Sequence, residues 1–218
     1  VERLILLSPV GVNDDAGKYH KERKERIQSS FRSRIMYGIY EGLFNNSTPG
    51  VLLRSIGASR SYSWVLGYIQ RRLPEIDTIE EQTAVADYLF HSNTLPGSGE
   101  YGIQRVLKAD IIAKRPLQNR IPKLQVDKVS FLYGSHDWMD INGGIATQLL
   151  CTDPQKKMPD VDMHIVDKAG HLLMLQNWQA VNAGIIQAGG GSITKQESQD
   201  LKLVKPTAQS ATDVGLAA

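Results

Sequence analysis

Two short stretches hold the residue types that acid–base chemistry at a strand end requires. The first is Asp162 to Gln176, DMHIVDKAGHLLMLQ, in which the apolar run Met163, Ile165, Val166 leads into Ala169-Gly170-His171. A buried strand followed by a glycine turn would project His171 from the strand's carboxyl end, where an imidazole can accept a proton and return it near neutral pH. The second is Val129 to Gly134, again an apolar run closed by glycine, followed by Ser135-His136-Asp137-Trp138-Met139-Asp140. A carboxylate at the end of one strand and a histidine at the end of the next is how an orienting acid meets its base. Asp137 and Asp140 both qualify as the acid.

A nucleophile is harder to find. Ser98 sits in Pro96-Gly97-Ser98-Gly99, which is not a strand-to-helix elbow, and no G-x-S-x-G occurs anywhere in the 218 residues. The single cysteine, Cys151, excludes an internal disulfide and a cysteine-based zinc cluster. Nothing in the sequence calls for a metal or a cofactor.

These residues need a framework. Leu4 to Leu7 is a continuous apolar run closed by Pro9 and Gly11, the pattern of a strand covered on both faces, and it should pair with the strand at Val129 to Tyr133. More than a hundred mostly helical residues separate them, far beyond one crossover helix, so this stretch reads as an inserted subdomain. Within it, Lys18 to Arg34 is a basic helix suited either to anionic lipid headgroups or to simple solvation. Ile35 to Phe44 is apolar and aromatic, fit to line an acyl-chain pocket or to pack inward. Asn45 to Gly50, with Pro49-Gly50, reads as a loop. A helix around Trp64 to Ile69 stops at Pro74. Another begins at Asp77 or Thr78 and runs through Phe90. Trp178, Val181 and Ile185 recur at helical spacing as a last covering helix, and Gly189-Gly190-Gly191-Ser192 opens a polar stretch expected to be disordered.

Composition fits a soluble globular chain, 41% hydrophobic and 22% charged. A net charge of +2 provides no case for a nucleic-acid partner, and none is expected. No apolar run reaches the roughly 18 to 20 residues that a spanning helix needs, so membrane contact would be peripheral. Val1 to Val10 opens directly on a strand pattern, which reads as the carboxyl-terminal portion of a longer protein.

Several of these motifs in order resemble one α/β-hydrolase subfamily, that of the fungal cardiolipin-specific deacylase, the animal N-acyl-phosphatidylethanolamine lysophospholipase and a lipid-droplet lipase co-activator. The matching text is VERLILLSPV at Val1 to Val10, His91-Ser92-Asn93 with Ser98-Gly99-Glu100, AKRPL at Ala113 to Leu117, FLYGSHDWMD at Phe131 to Asp140, and Ala169-Gly170-His171. The resemblance implies the carboxyl-terminal part of an α/β-hydrolase fold, a mostly parallel sheet flanked by helices with a helical cap inserted between two strands. It places a core strand at 1–12, the cap at 13–122, the core with acid and histidine at 123–187 and the tail at 188–218. It implies a nucleophile elbow one strand before Val1, His171 as the triad histidine, and Asp140 as the acid with Asp137 close behind. The implied activity is a serine hydrolase, a deacylase removing an acyl chain from a glycerophospholipid such as cardiolipin, in a mitochondrial setting, with the cytoplasm or a lipid-droplet surface as the alternative. A non-catalytic lipid-surface adaptor and an acyltransferase are the alternatives. The subfamily's H-x-x-x-x-D sequence, linked to acyl transfer, is broken here by Gln176.

Overall fold

In the computed structural model the described residues are 1–14, 18–48, 50–109, 111–153, 155–214 and 216. Pro49 of the expected loop and the side chains of Lys18 and Arg23 in the basic segment lie outside what is described. In chain order the strands are β1 (Arg3–Leu7), β2 (Lys128–Gly134), β3 (Asp160–Val166) and β4 (Leu201–Val204). The helices are α1 (Lys18–Gln28), α2 (Phe31–Asn46), α3 (Val51–Ser55), α4 (Ala58–Arg72), α5 (Ile79–Thr94), α6 (Ile103–Val106), α7 (Asn142–Leu150), α8 (Leu173–Gln176), α9 (Trp178–Ala188) and α10 (Ala208–Asp213). The chain divides into two compact units, residues 1–34 with 110–218, and residues 35–109.

The first unit is built on the sheet β1-β2-β3-β4. β1, β2 and β3 are parallel, with Leu6 opposite Phe131 and Phe131 opposite Met163. Alternation along β2 sends Val129, Phe131 and Tyr133 into one core cluster with Met163, Ile145 and Ala146, while Leu132 goes to the other face with Val166, Leu173, Ala180 and Val181. One cluster is therefore covered by α7 and the other by α9, as a parallel sheet with two dry faces requires. α9 comes close enough that a Cβ at Gly184 would meet Leu132 Cδ2 at 2.5 Å. A four-stranded, mostly parallel sheet flanked by helices is the expected partial α/β-hydrolase fold.

The expected disordered tail is corrected by the structure. Leu201–Val204 pairs antiparallel with β3, Val204 opposite Met163 and Leu201 opposite Val166, so backbone groups along the edge of β3 gain partners. Thr207 then caps α10 in a reciprocal capping box with Ser210, and Val214 is buried in the first cluster. The basic segment is also not one helix. Ser30 Oγ accepts from the Ser33 amide at 3.1 Å, a cap that starts α2 afresh, and Ser29 Oγ donates to the Arg26 carbonyl at the end of α1.

The helical unit packs α4 against α5 around Val65, Ile69, Leu73, Ile76 and Ala86. Thr78 Oγ1 caps α5 by accepting from the Glu81 amide. Tyr62 meets Phe90 edge to face at 5.5 Å. Arg54 of α3 is locked by Glu100 and by the carbonyls of Asn93 and Leu95. The apolar Ile35 to Phe44 segment does not pack inward: no residue of α2 is buried, and only Tyr37 and Phe44 among its aromatics are half-covered.

Candidate active site

The acid and base stretches meet because their strands are neighbours ending at the same level, Gly134 opposite Val166. Beyond the last pair, the Ser135 amide donates to the Val166 carbonyl and the His136 amide to the Ala169 carbonyl, both at 2.9 Å. The β3 turn thus crosses directly over Gly134. A Cβ there would lie 2.3 Å from the Ala169 oxygen and 2.4 Å from that of Gly170, so only glycine fits.

This crossing brings His171 to Asp137. Nδ1 of His171 is 3.2 Å from Asp137 Oδ1. The Asp137 side chain is 1% exposed, and that of His171 is 35% exposed. Asp137 Oδ1 also accepts from the Met139 amide at 3.0 Å, and Oδ2 from the Ser8 hydroxyl at 2.6 Å. A buried carboxylate costs least as an anion when donors converge on it, and three do so here. With Nδ1–H given to Asp137, the other ring nitrogen, Nε2, carries the lone pair that could accept a proton. The Trp138 ring lies 4.9 Å from the His171 ring centre and restricts its tilt.

Asp140, the acid expected from the resemblance, is used differently. Its Oδ2 accepts from Asn13 Nδ2 at 2.7 Å and its Oδ1 from the Asn142 amide at 3.0 Å, tying the strand β1 exit to the start of α7. The carboxylate that meets His171 is Asp137. Tyr133 of β2 is fully buried in the first core cluster; burial, with Asp140 and Asp137 adding like-sign repulsion to its phenolate, pushes its hydroxyl well above the usual range.

Gln176 does structural work in this turn. Its Oε1 accepts from the Gly170 amide at 2.7 Å, fixing the residue before the histidine from α8. Ser98 is exposed at the head of the 3-10 turn Gly99–Gly102 in the helical unit. Cys151 is half-covered at the end of α7, and burial pushes its thiol up to about 11. Among the described residues no three His, Cys, Asp or Glu side chains gather as a metal site would need.

Ser8 and Trp138 are members of this site that spacing alone did not single out. Ser8 has a readable signal in retrospect, since it ends the strand next to the acid's strand. Its φ of 41° is held by its amide donating to the Leu132 carbonyl at 2.8 Å, which aims the hydroxyl at Asp137.

A parallel sheet covered on both faces, with a buried aspartate and a histidine paired at adjoining strand ends, is α/β-hydrolase architecture. Comparison with curated proteins finds relatives of low identity. The chain is 22% identical over 197 residues to a probable 1-acylglycerol-3-phosphate O-acyltransferase of Oryza sativa subsp. japonica, covering 86% of this chain and 44% of that one. It is 26% identical over 136 residues to the (lyso)-N-acylphosphatidylethanolamine lipase of Homo sapiens, 60% of this chain and 37% of that one. With the 1-acylglycerol-3-phosphate O-acyltransferase ABHD5 of Sus scrofa it shares 32% over 90 residues, 39% of this chain and 26% of that one. It spans less than half the length of each of these relatives. No protein-family model and no solved structure matches. The four-stranded, mostly parallel sheet flanked by helices is a partial α/β-hydrolase fold, and the relatives the chain resembles carry the names of lipases and acyltransferases.

Proposed function

We propose that this chain supplies the base and the orienting acid of a lipid acyl hydrolase whose substrate is a glycerophospholipid. The observation that carries the reading is the His171–Asp137 pair at 3.2 Å, with the carboxylate buried and held by Ser8 and the Met139 amide. In the reaction, Nε2 of His171 takes the proton of an attacking serine hydroxyl as that oxygen bonds to the ester carbonyl carbon. Asp137 stabilises the imidazolium, and His171 then passes the proton to the leaving alcohol as the carbon–oxygen bond breaks. A water repeats the cycle and frees the fatty acid.

Since no G-x-S-x-G is present in the 218 residues, the chain by itself is expected to be inactive. Ester turnover by the isolated chain that His171→Ala abolishes would overturn this. The product of the gene's full open reading frame is the material for the main test: fatty acid release from cardiolipin and phosphatidylethanolamine vesicles, with His171→Ala as control. Release that depends on His171 supports hydrolysis. Appearance of a new acylated lipid when lysophosphatidate is added supports the acyltransferase reading, which the names of the rice and pig relatives favour. Neither activity would leave the lipid-surface adaptor.

The same reading extends to a peripheral membrane contact through α2. Phe31, Ile35, Met36, Ile39, Tyr40 and Leu43 are exposed and fall on one broad side of the helix, with Arg32 and Arg34 in its first turn. An uncovered apolar stripe with arginines beside it suits the boundary between acyl chains and anionic headgroups. No helix among the described residues is long and apolar enough to cross a membrane. Co-sedimentation with cardiolipin-containing vesicles, lost in Ile39→Glu, is the expected result. Unchanged sedimentation of that variant would refute it.

A further inference from the structure

The helical unit has a groove lined by its own residues. It measures about 570 Å³ and is bordered by α3, α4 and α5, within the roughly 300–1,000 Å³ of ordinary small-molecule sites. Leu53, Val65 and Leu89 supply an apolar floor, one from each helix. Trp64, Tyr68 and Arg71 form one wall at i, i+4 and i+7 along α4, a line roughly 10 Å long. The two rings are 55% and 45% exposed, so their faces are open to a ligand.

The arginine at the end of that line is the informative residue. Its guanidinium lies back over Gly67, where an added Cβ would come 3.2 Å from Nη1. Among the described residues no carboxylate pairs with it. Arg54, on the adjoining helix α3, shows the contrast: Glu100 and two carbonyls hold it in place. One arginine is consumed by the architecture of the unit, and the other ends an apolar, aromatic-walled groove with its charge unneutralised. That arrangement fits one hydrocarbon chain terminated by an anion. The chain gains from leaving water against Leu53, Val65 and Leu89, and the planar guanidinium can hold a carboxylate or phosphate by paired hydrogen bonds.

We propose that this groove binds a single-chain anionic amphiphile, with its alkyl chain on Leu53, Val65 and Leu89 and its anionic head on Arg71. This goes beyond the acid–base reading and does not depend on it, because its readout is binding rather than turnover. A fatty carboxylate and a monoacyl phosphate share the chemistry, and the probes below separate them.

The full 218-residue chain would be titrated calorimetrically, below their micelle concentrations, with dodecanoate, dodecyl phosphate and the uncharged dodecyl maltoside. Saturable binding of at least one anionic probe, tighter than the maltoside, is expected, and the tighter of the two anions identifies the head group. Arg71→Gln should weaken the anionic probes about 10- to 100-fold, the range of a lost charge-assisted pair, and leave the maltoside unchanged. Arg72→Gln, one residue on, should leave all three unchanged. Ser63→Trp, at an exposed lining position that leaves the core intact, should weaken all three by narrowing the groove. His171→Ala should change none of them, so the proposal survives a failure of the hydrolase reading. Absence of saturable binding, equal affinity for charged and uncharged probes, or indifference to Arg71→Gln would overturn it.

Discussion

Replacing Asp137 by asparagine, with Asp140→Asn beside it, separates the two candidate acids by their surroundings. The amide is nearly isosteric, and the Ser8 hydroxyl, 2.6 Å from Oδ2, can reverse from donor to acceptor. An asparagine can therefore point its NH2 at Ser8 and keep its oxygen on the Met139 amide and His171 Nδ1, preserving the geometry while removing the charge. What is lost is attraction to the imidazolium that forms during acyl transfer. At 3.2 Å, an effective dielectric of about 20 makes that worth about 5 kcal/mol. His171 is one-third exposed, so solvent reduces the figure to about 3–4 kcal/mol, or two to three orders of magnitude in kcat. Asp140→Asn should instead loosen the ties to Asn13 and the Asn142 amide, costing about 1 kcal/mol of stability with kcat within a few-fold. The assay is fatty acid release from phospholipid vesicles by the full open reading frame product, paired with thermal melts of each variant. A severe kcat loss in Asp140→Asn with a mild one in Asp137→Asn would refute the assignment.

Ser8→Ala leaves one oxygen of a buried carboxylate short of a donor. We expect a cost of about 1.5–3 kcal/mol in stability and a kcat reduced about tenfold at unchanged KM, with partial rescue by Ser8→Thr; a KM effect alone would contradict a positioning role. Gly134→Ala forces a methyl to 2.3 Å from the Ala169 oxygen; a penalty of about 3 kcal/mol corresponds to a Tm lower by roughly 6–12 °C, and an unshifted melt would show that the turn yields freely. His164, buried on β3, has its pKa lowered by burial and by Lys128, with Asp162 opposing. The unfolded chain therefore takes up a proton below its ordinary value of about 6.5 while the native protein resists it, so stability is lost as pH falls through that region and is unaffected above it. His164→Gln should flatten the fall in Tm between about pH 7 and 5, and an unchanged slope would assign the acid sensitivity elsewhere. Ending the chain at Gly191 removes β4 from the edge of β3, together with Leu201 and Val204; a lower Tm and concentration-dependent aggregation are expected, whereas a disordered tail would change neither.

The parts of this molecule that were legible in its sequence are those whose signal is local. A continuous apolar run marked β1, shorter apolar runs closed by glycine turns marked β2 and β3, and Thr78 announced its helix by a cap that closes within three residues. β4 carries no such signal. Leu-Lys-Leu-Val is too short to stand out in a polar stretch, and it is a strand only because the edge of β3 offers it partners. The break between α1 and α2 was readable in principle, in the pair Ser29-Ser30, but a run of basic residues across it masked the cap.

The choice between Asp137 and Asp140 lies beyond local reading altogether. Both follow Gly134 within six residues, and both are held by a backbone amide two residues further on. What separates them is supplied by distant segments: Asn13 draws Asp140 toward α7, and Ser8 seats Asp137 under the strand end where the β3 turn, bonded to the His136 amide, brings His171 across. Which carboxylate reaches His171 is therefore set by the strand order of the sheet rather than by its own spacing. Transplanting the segment from Ser135 to Asp140 without β1 would leave two equivalent carboxylates and no preferred partner for His171.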